Sequence, residues 1–102
     1  MIRVSAMYPQ GGKFDADYYA TKHMPMVAEK CGAALIRYEI DKGVGGGVPG
    51  QPAPYVMIGH MYFNSLPELM AALGPHVGAI LGDVPNFTDT TAQTQISEIV
   101  KG

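Results

Sequence analysis

The stretch Phe14-Asp15-Ala16-Asp17-Tyr18-Tyr19-Ala20-Thr21-Lys22-His23-Met24-Pro25-Met26 gathers adjacent tyrosines and a histidine at helical spacing, then a proline just beyond the histidine. Tyr19 and His23 are one helical turn apart, so the phenol and the imidazole share a face. An imidazole in that setting suits general acid or base work, and a phenol beside it suits hydrogen bonding to a substrate oxygen. Pro25 offers no amide hydrogen to the carbonyl of Thr21, so a kink or restart is expected there, and it would help aim His23 into a cleft. The bland alternative is a kinked helix that only packs.

A carboxylate to orient the imidazole is available in Gly82-Asp83-Val84-Pro85-Asn86, read as a loop. Asp83 is its acid, and Asn86 is a candidate contact to substrate, although both residues also suit plain turn chemistry. His60 sits inside the apolar run Tyr55-Val56-Met57-Ile58-Gly59-His60-Met61-Tyr62-Phe63 and reads either as a core histidine or as a further substrate contact. Tyr18 and Met26 complete the candidate binding set. Met26 belongs to a wider group (Met7, Met24, Met57, Met61 and Met70) able to give a pocket an adaptable apolar lining or simply to fill a core. His23, His60 and His76 show no metal-ligand spacing, and Cys31 stands alone, so no metal is expected.

The elements that must position these groups follow from periodicity. Residues 2–8 alternate, with Ile2, Val4, Ala6 and Tyr8 on one face, and end in the turn Pro9-Gln10-Gly11-Gly12. Asp15 is a natural N-cap for the first helix and Gly32 a natural stop. Residues 33–42 read as a second strand and 55–63 as a third, apolar on both faces. Ser65 or Asn64 caps a second helix, whose stripe runs from Leu66 to Leu81 and is interrupted by Gly74-Pro75. A last strand is expected over 92–100. This order predicts an α+β, ferredoxin-like βαββαβ fold: a four-stranded antiparallel sheet with two helices on one face. The other sheet face would then need cover, which predicts a homodimer through paired sheet faces.

Gly45-x-Gly47-x-x-Gly50 matches a dinucleotide fingerprint only in letters, because a proline-rich segment and a strand follow it where a helix must open. The glycine-rich segment 43–54 reads instead as a mobile loop flanking or covering a pocket. With 102 residues the chain reads as one domain, 1–102, and 47% hydrophobic against 16% charged residues marks a packed fold. A net charge of -2 with seven scattered Lys and Arg gives no footprint for nucleic acid. Neither a signal peptide nor a membrane span is apparent, and a soluble cytoplasmic protein is expected.

Phe14, Tyr18, Tyr19, His23 and Pro25, the Gly82–Asn86 segment, and the ending Thr94-Gln95-Ile96-Ser97-Glu98 together resemble the EthD family, named for a protein of ethyl tert-butyl ether degradation. The resemblance spans almost the whole chain and implies a dimeric α+β barrel with a cleft between sheet and helices. It places the motif histidine on His23, the motif tyrosines on Tyr18 and Tyr19, and the motif acid on Asp83. It implies a cofactor-independent enzyme acting on a small apolar, phenolic or enolisable compound by decarboxylation, dehydration, cyclisation or oxidation. A non-catalytic small-molecule binder or carrier supporting an oxidative, ether-degradation-like pathway is the alternative, and haem ligation by His23 or His60 is a third reading.

Overall fold

A computed structural model describes residues 1–102. Strands β1 (Ile2–Pro9), β2 (Arg37–Lys42), β3 (Tyr55–Phe63) and β4 (Gln93–Glu98) form one antiparallel sheet in the order β2-β3-β1-β4. The connections before β2 and β4 carry the helices, which gives the expected ferredoxin-like arrangement. Strands β2 and β4 are shorter than the sequence predicts. The chain after Gly32 first makes a 3-10 turn to Ala34, and pairing in β4 stops at Glu98.

The first helical run changes type along its length. It begins as α1 (Ala16–Tyr18), capped by Asp15, whose carboxylate accepts from the Tyr18 amide at 3.0 Å. A π-helical turn, Tyr19–His23, follows, and α2 (Met24–Cys31) completes it with Pro25 in its first turn. The Met24 amide bonds back to the Tyr19 carbonyl, a wider loop than an α-turn closes. The expected disturbance at Pro25 therefore takes the form of a π-turn placed just before the proline, which then sits where a missing amide hydrogen costs least.

On the second crossover Ser65 caps α3 (Leu66–Leu73), its hydroxyl accepting from the Glu68 amide at 3.3 Å. A 3-10 turn over Gly74–His76 makes the expected break, and α4 (Val77–Asp83) runs directly into a further 3-10 turn, Val84–Asn86. Asp83 is thus the last residue of a helix, not a loop acid.

Strand alternation sorts the sheet into two unlike faces. Val4, Ala6, Tyr8, Met57, Gly59, Met61 and Phe63 point to the helices. Val4, Val27, Cys31, Phe63 and Leu69 make one end of the core, and Tyr8, Tyr19, Met24, Met57 and Phe87 the other. Truncating the fully buried Leu69 to alanine would cost about 2–5 kcal/mol. The opposite face carries Arg3, Ser5, Arg37, Glu39, Asp41, His60 and Tyr62 in register. This corrects the expectation of an apolar outer face. Ile58 and Val56 are there, but Tyr62 lies under the guanidinium groups of Arg37 and Arg3, 4.2 and 5.3 Å from its ring centre, and donates to Glu39 at 2.6 Å.

Candidate active site

Two distant segments are clamped together beside the first helical run. The Asp15 amide donates to the Phe87 carbonyl at 2.7 Å, and Phe14 pairs with Thr88 as an isolated β-bridge. This brings the C-terminal end of α4 against the π-turn. His23 Nδ1 then lies 2.9 Å from Asp83 Oδ2. The other carboxylate oxygen of Asp83 accepts from the Tyr18 hydroxyl at 2.7 Å and from the Asn86 amide at 2.9 Å.

Partial burial alone would push the Asp83 carboxyl up, but the hydrogen bonds from Asn86, His23 and Tyr18 outweigh it and hold the acid below its usual range. The Tyr18 hydroxyl is held as the neutral phenol, chiefly because its hydrogen bond goes to that carboxylate. An ionised carboxylate only accepts, so the proton shared with it sits on His23 Nδ1. Nε2 has no partner in the protein, and no buried side-chain nitrogen or oxygen is left unpartnered, so Nε2 reaches open space. The imidazole, 3% exposed as a residue, lies nearly parallel to the Tyr19 ring (ring centres 5.5 Å apart, planes at 16°) and tilted against Phe87 (4.6 Å, 54°).

That open space is a cavity of about 420 Å³ between the sheet and the helices. Nineteen residues line it and thirteen are hydrophobic, with Val4, Ala6 and Met61 on the floor and Val77, Ile80 and Leu81 along the helix side. Leu81 is 63% exposed, so α4 also forms part of the cavity mouth. His23 lines the wall with the hydroxyl-bearing rings of Tyr8 and Tyr19. Burial pushes the Tyr8 hydroxyl up to about 12, with the neighbouring Tyr19 hydroxyl partly offsetting it. Burial drives Tyr19 higher still.

The arrangement suits proton transfer in an apolar setting: an oriented imidazole with a free nitrogen, a fixed carboxylate behind it, and two neutral phenols able to donate. No group of three side chains suited to hold a metal comes together.

Of the residues singled out in the sequence, His23, Tyr19 and Asp83 converge. Tyr18 and Asn86 converge with them through Asp83, but they hold the carboxylate and do not line the cavity. His60 does not join them. It projects from the opposite sheet face, where Ser5 Oγ meets its Nδ1 and Asp41 Oδ2 meets its Nε2, both at 2.9 Å. Met26 packs against the core and is also absent from the cavity lining, which takes only Met24 and Met61 from the methionines. The glycine-rich segment 43–54 contributes no lining residue either.

The sequence reading missed Tyr8 and Gly59. Alternation placed Tyr8 on one β1 face with Val4 and Ala6 and gave it no role. Gly59 carried the signal of a lone glycine inside a strand, which marks close approach: a Cβ there would run into the Tyr19 hydroxyl.

The EthD domain profile matches residues 13–91, a stretch that includes the whole His23–Asp83 arrangement. The chain belongs to the EthD family. An EthD-like protein from Ralstonia eutropha JMP134 is 39% identical, with a TM-score of 0.91 over 98% of this chain and 92% of that one. An EthD family protein from Bacillus halodurans C-125 superposes with a TM-score of 0.74 at 20% identity, over 98% of this chain and 99% of that one. At 13% identity a putative antibiotic biosynthesis monooxygenase from Deinococcus radiodurans shares the fold, with a TM-score of 0.57 over 100% of this EthD chain and 95% of that one. No curated protein matches this chain.

Proposed function

We propose that this EthD protein is a cofactor-independent enzyme that moves protons on a small, largely apolar phenolic or enolisable compound bound in the cavity between sheet and helices. The observation that carries this reading is the His23 imidazole, bonded to Asp83 through Nδ1 and free at Nε2 toward an apolar cavity. In one direction Nε2 takes a proton from a carbon or hydroxyl of the ligand, and the imidazolium formed is stabilised by the Asp83 carboxylate. In the other it returns that proton, which serves dehydration or ring closure as well as simple enolisation.

The test needs no knowledge of the natural substrate. Neutral enolisable ketones such as 1-tetralone, 2-tetralone and cyclohexanone, incubated with the protein in deuterated water, are expected to exchange their α-hydrogens faster than buffer alone. His23→Gln is expected to remove the excess. Exchange that persists in His23→Gln, or that wild type never produces, contradicts the proposal, and the latter with saturable binding favours a carrier in an ether-degradation-like pathway.

The same reading takes the protein as a cytoplasmic homodimer joined through the outer sheet faces. The ion pairs and the half-covered Ile58 and Val56 on that face support a mixed polar interface. Light scattering returning the mass of one chain at micromolar concentration would refute the dimer. No helix is long and apolar enough to cross a membrane.

A further inference from the structure

The cavity contains no lysine and no arginine among its lining residues, and its titratable members are His23, Tyr8 and Tyr19. The formal charge bonded to a lining residue is negative: Asp83, held ionised 2.9 Å behind His23. With His23 neutral, the wall therefore carries a net negative charge, and with His23 protonated the pair sums to nothing. An anionic ligand entering this space would lose its water and meet no unpaired cation in return.

The oxygen of an uncharged ligand fares differently. Tyr8 rises from β1 and Tyr19 from the π-turn, their rings edge-on with centres 5.5 Å apart, and both line the cavity. Gly59 leaves the room that lets the Tyr19 hydroxyl lie against the sheet. Neither phenol is sealed away without a partner. Both remain protonated across the whole neutral range, so they serve as donors and never as charges.

We propose that the cavity selects an uncharged, mostly apolar ligand bearing one hydroxyl or carbonyl oxygen, that the Tyr8 hydroxyl backed by Tyr19 receives this oxygen, and that carboxylate-bearing ligands are refused. This deepens the proton-transfer reading and rests on it for treating the cavity as the working site. It removes decarboxylation of a free acid from the reactions the site serves. Enolisation, dehydration and ring closure of neutral compounds remain, with Tyr8 donating to the oxygen on which negative charge gathers as His23 withdraws a proton.

Matched pairs test it by equilibrium binding near neutral pH, followed by the backbone amide resonances of Gly59, Met61 and Val84: 2-naphthol with 2-naphthoate, phenol with benzoate, cyclohexanone with cyclohexanecarboxylate. The neutral member is expected to bind about tenfold tighter or more in each pair that binds. Tyr8→Phe is expected to weaken 2-naphthol by about fivefold to tenfold, the worth of one hydrogen bond. Should that variant fold poorly, Thr94→Lys gives an independent reading, because it adds a cation at an exposed lining position on β4. That change is expected to raise naphthoate affinity and shrink the preference.

A carboxylate that binds as tightly as its neutral partner, naphthoate indifferent to Thr94→Lys, or no binding by any neutral compound overturns the proposal. Binding requires no turnover. Naphthoate matching naphthol therefore defeats this inference and leaves the His23 reading standing, whereas absent deuterium exchange defeats that reading and leaves this one.

Discussion

Two histidines lie on opposite faces of one sheet, each 2.9 Å from an aspartate, and only one of them has a nitrogen to spare. His23 bonds Asp83 through Nδ1 and turns Nε2 to the cavity. His60 bonds Asp41 through Nε2 and takes the Ser5 hydroxyl on Nδ1, so both of its nitrogens are engaged. Because each carboxylate only accepts, the neutral rings carry opposite tautomers: the proton sits on Nδ1 in His23 and on Nε2 in His60. Asp83 is 19% exposed and Asp41 58%. A histidine–aspartate pair is thus not a site by itself. It becomes one when the second nitrogen opens onto an apolar space large enough for a ligand.

The largest expected difference between the pairs is kinetic. His23→Gln should lower the rate of ketone exchange by about a hundredfold or more, the usual worth of a positioned acid or base. His60→Gln should change it by less than about twofold, as expected of a residue away from the site. Equal losses in the two variants, from a folded protein, would erase the distinction between the faces.

Packing separates the faces next. Gly59→Ala drives a methyl group into the Tyr19 hydroxyl on the cavity side and should cost about 1–3 kcal/mol in urea unfolding, with poorer ligand binding. Ser5→Ala, on the outer face, removes one hydrogen bond to His60 and should cost about 1 kcal/mol.

Titration sharpens the contrast further. The Tyr8 hydroxyl ionises at about 12 in the folded chain. Above the ordinary tyrosine value of about 10 the unfolded chain loses that proton first, so stability falls as pH rises from there through the folded value. Tyr8→Phe should flatten this alkaline loss.

Asp83 has the opposite sign. Its depressed value contributes stability that is complete above the usual carboxylate range of about 3.9 and is lost as pH falls through the folded value. Asp83→Asn should therefore weaken the protein at neutral pH and flatten its acid limb. The smallest effect belongs to Asp41→Asn, about 1 kcal/mol or less, because water screens that pair.

The order of strands and helices along the chain, the Asp15 cap, a second cap at Ser65 or Asn64 and the break at Gly74-Pro75 were legible in the sequence because each depends on neighbouring residues; the structure gives the second cap to Ser65. The motifs also offered Asp83 as an acid able to orient an imidazole, but its meeting with His23 is visible only in the folded chain. Three further features were not legible. Pro25 told of a disturbance but not that a π-turn would absorb it upstream, since i→i+4 and i→i+5 closure share one residue pattern. His60 read as a core histidine or a substrate contact because Val56, Ile58 and Tyr62 share its face, whereas its surroundings were decided by cross-strand partners Ser5 and Asp41. Tyr18 and Asn86 read as substrate contacts because nothing local says that Asp83 would take both their hydrogens.

His23 is locked with its proton on Nδ1 and presents a bare Nε2 to the cavity. Long-range nitrogen–proton correlation spectra of the imidazole rings, recorded with His23→Gln and His60→Gln to assign them, test it most directly. Neutral His23 should show a protonated Nδ1 and an unprotonated Nε2, His60 the reverse, and the His23 Nε2 resonance alone should shift when 2-naphthol binds. A His23 ring protonated on Nε2, or one averaging between tautomers and indifferent to Asp83→Asn, would contradict it.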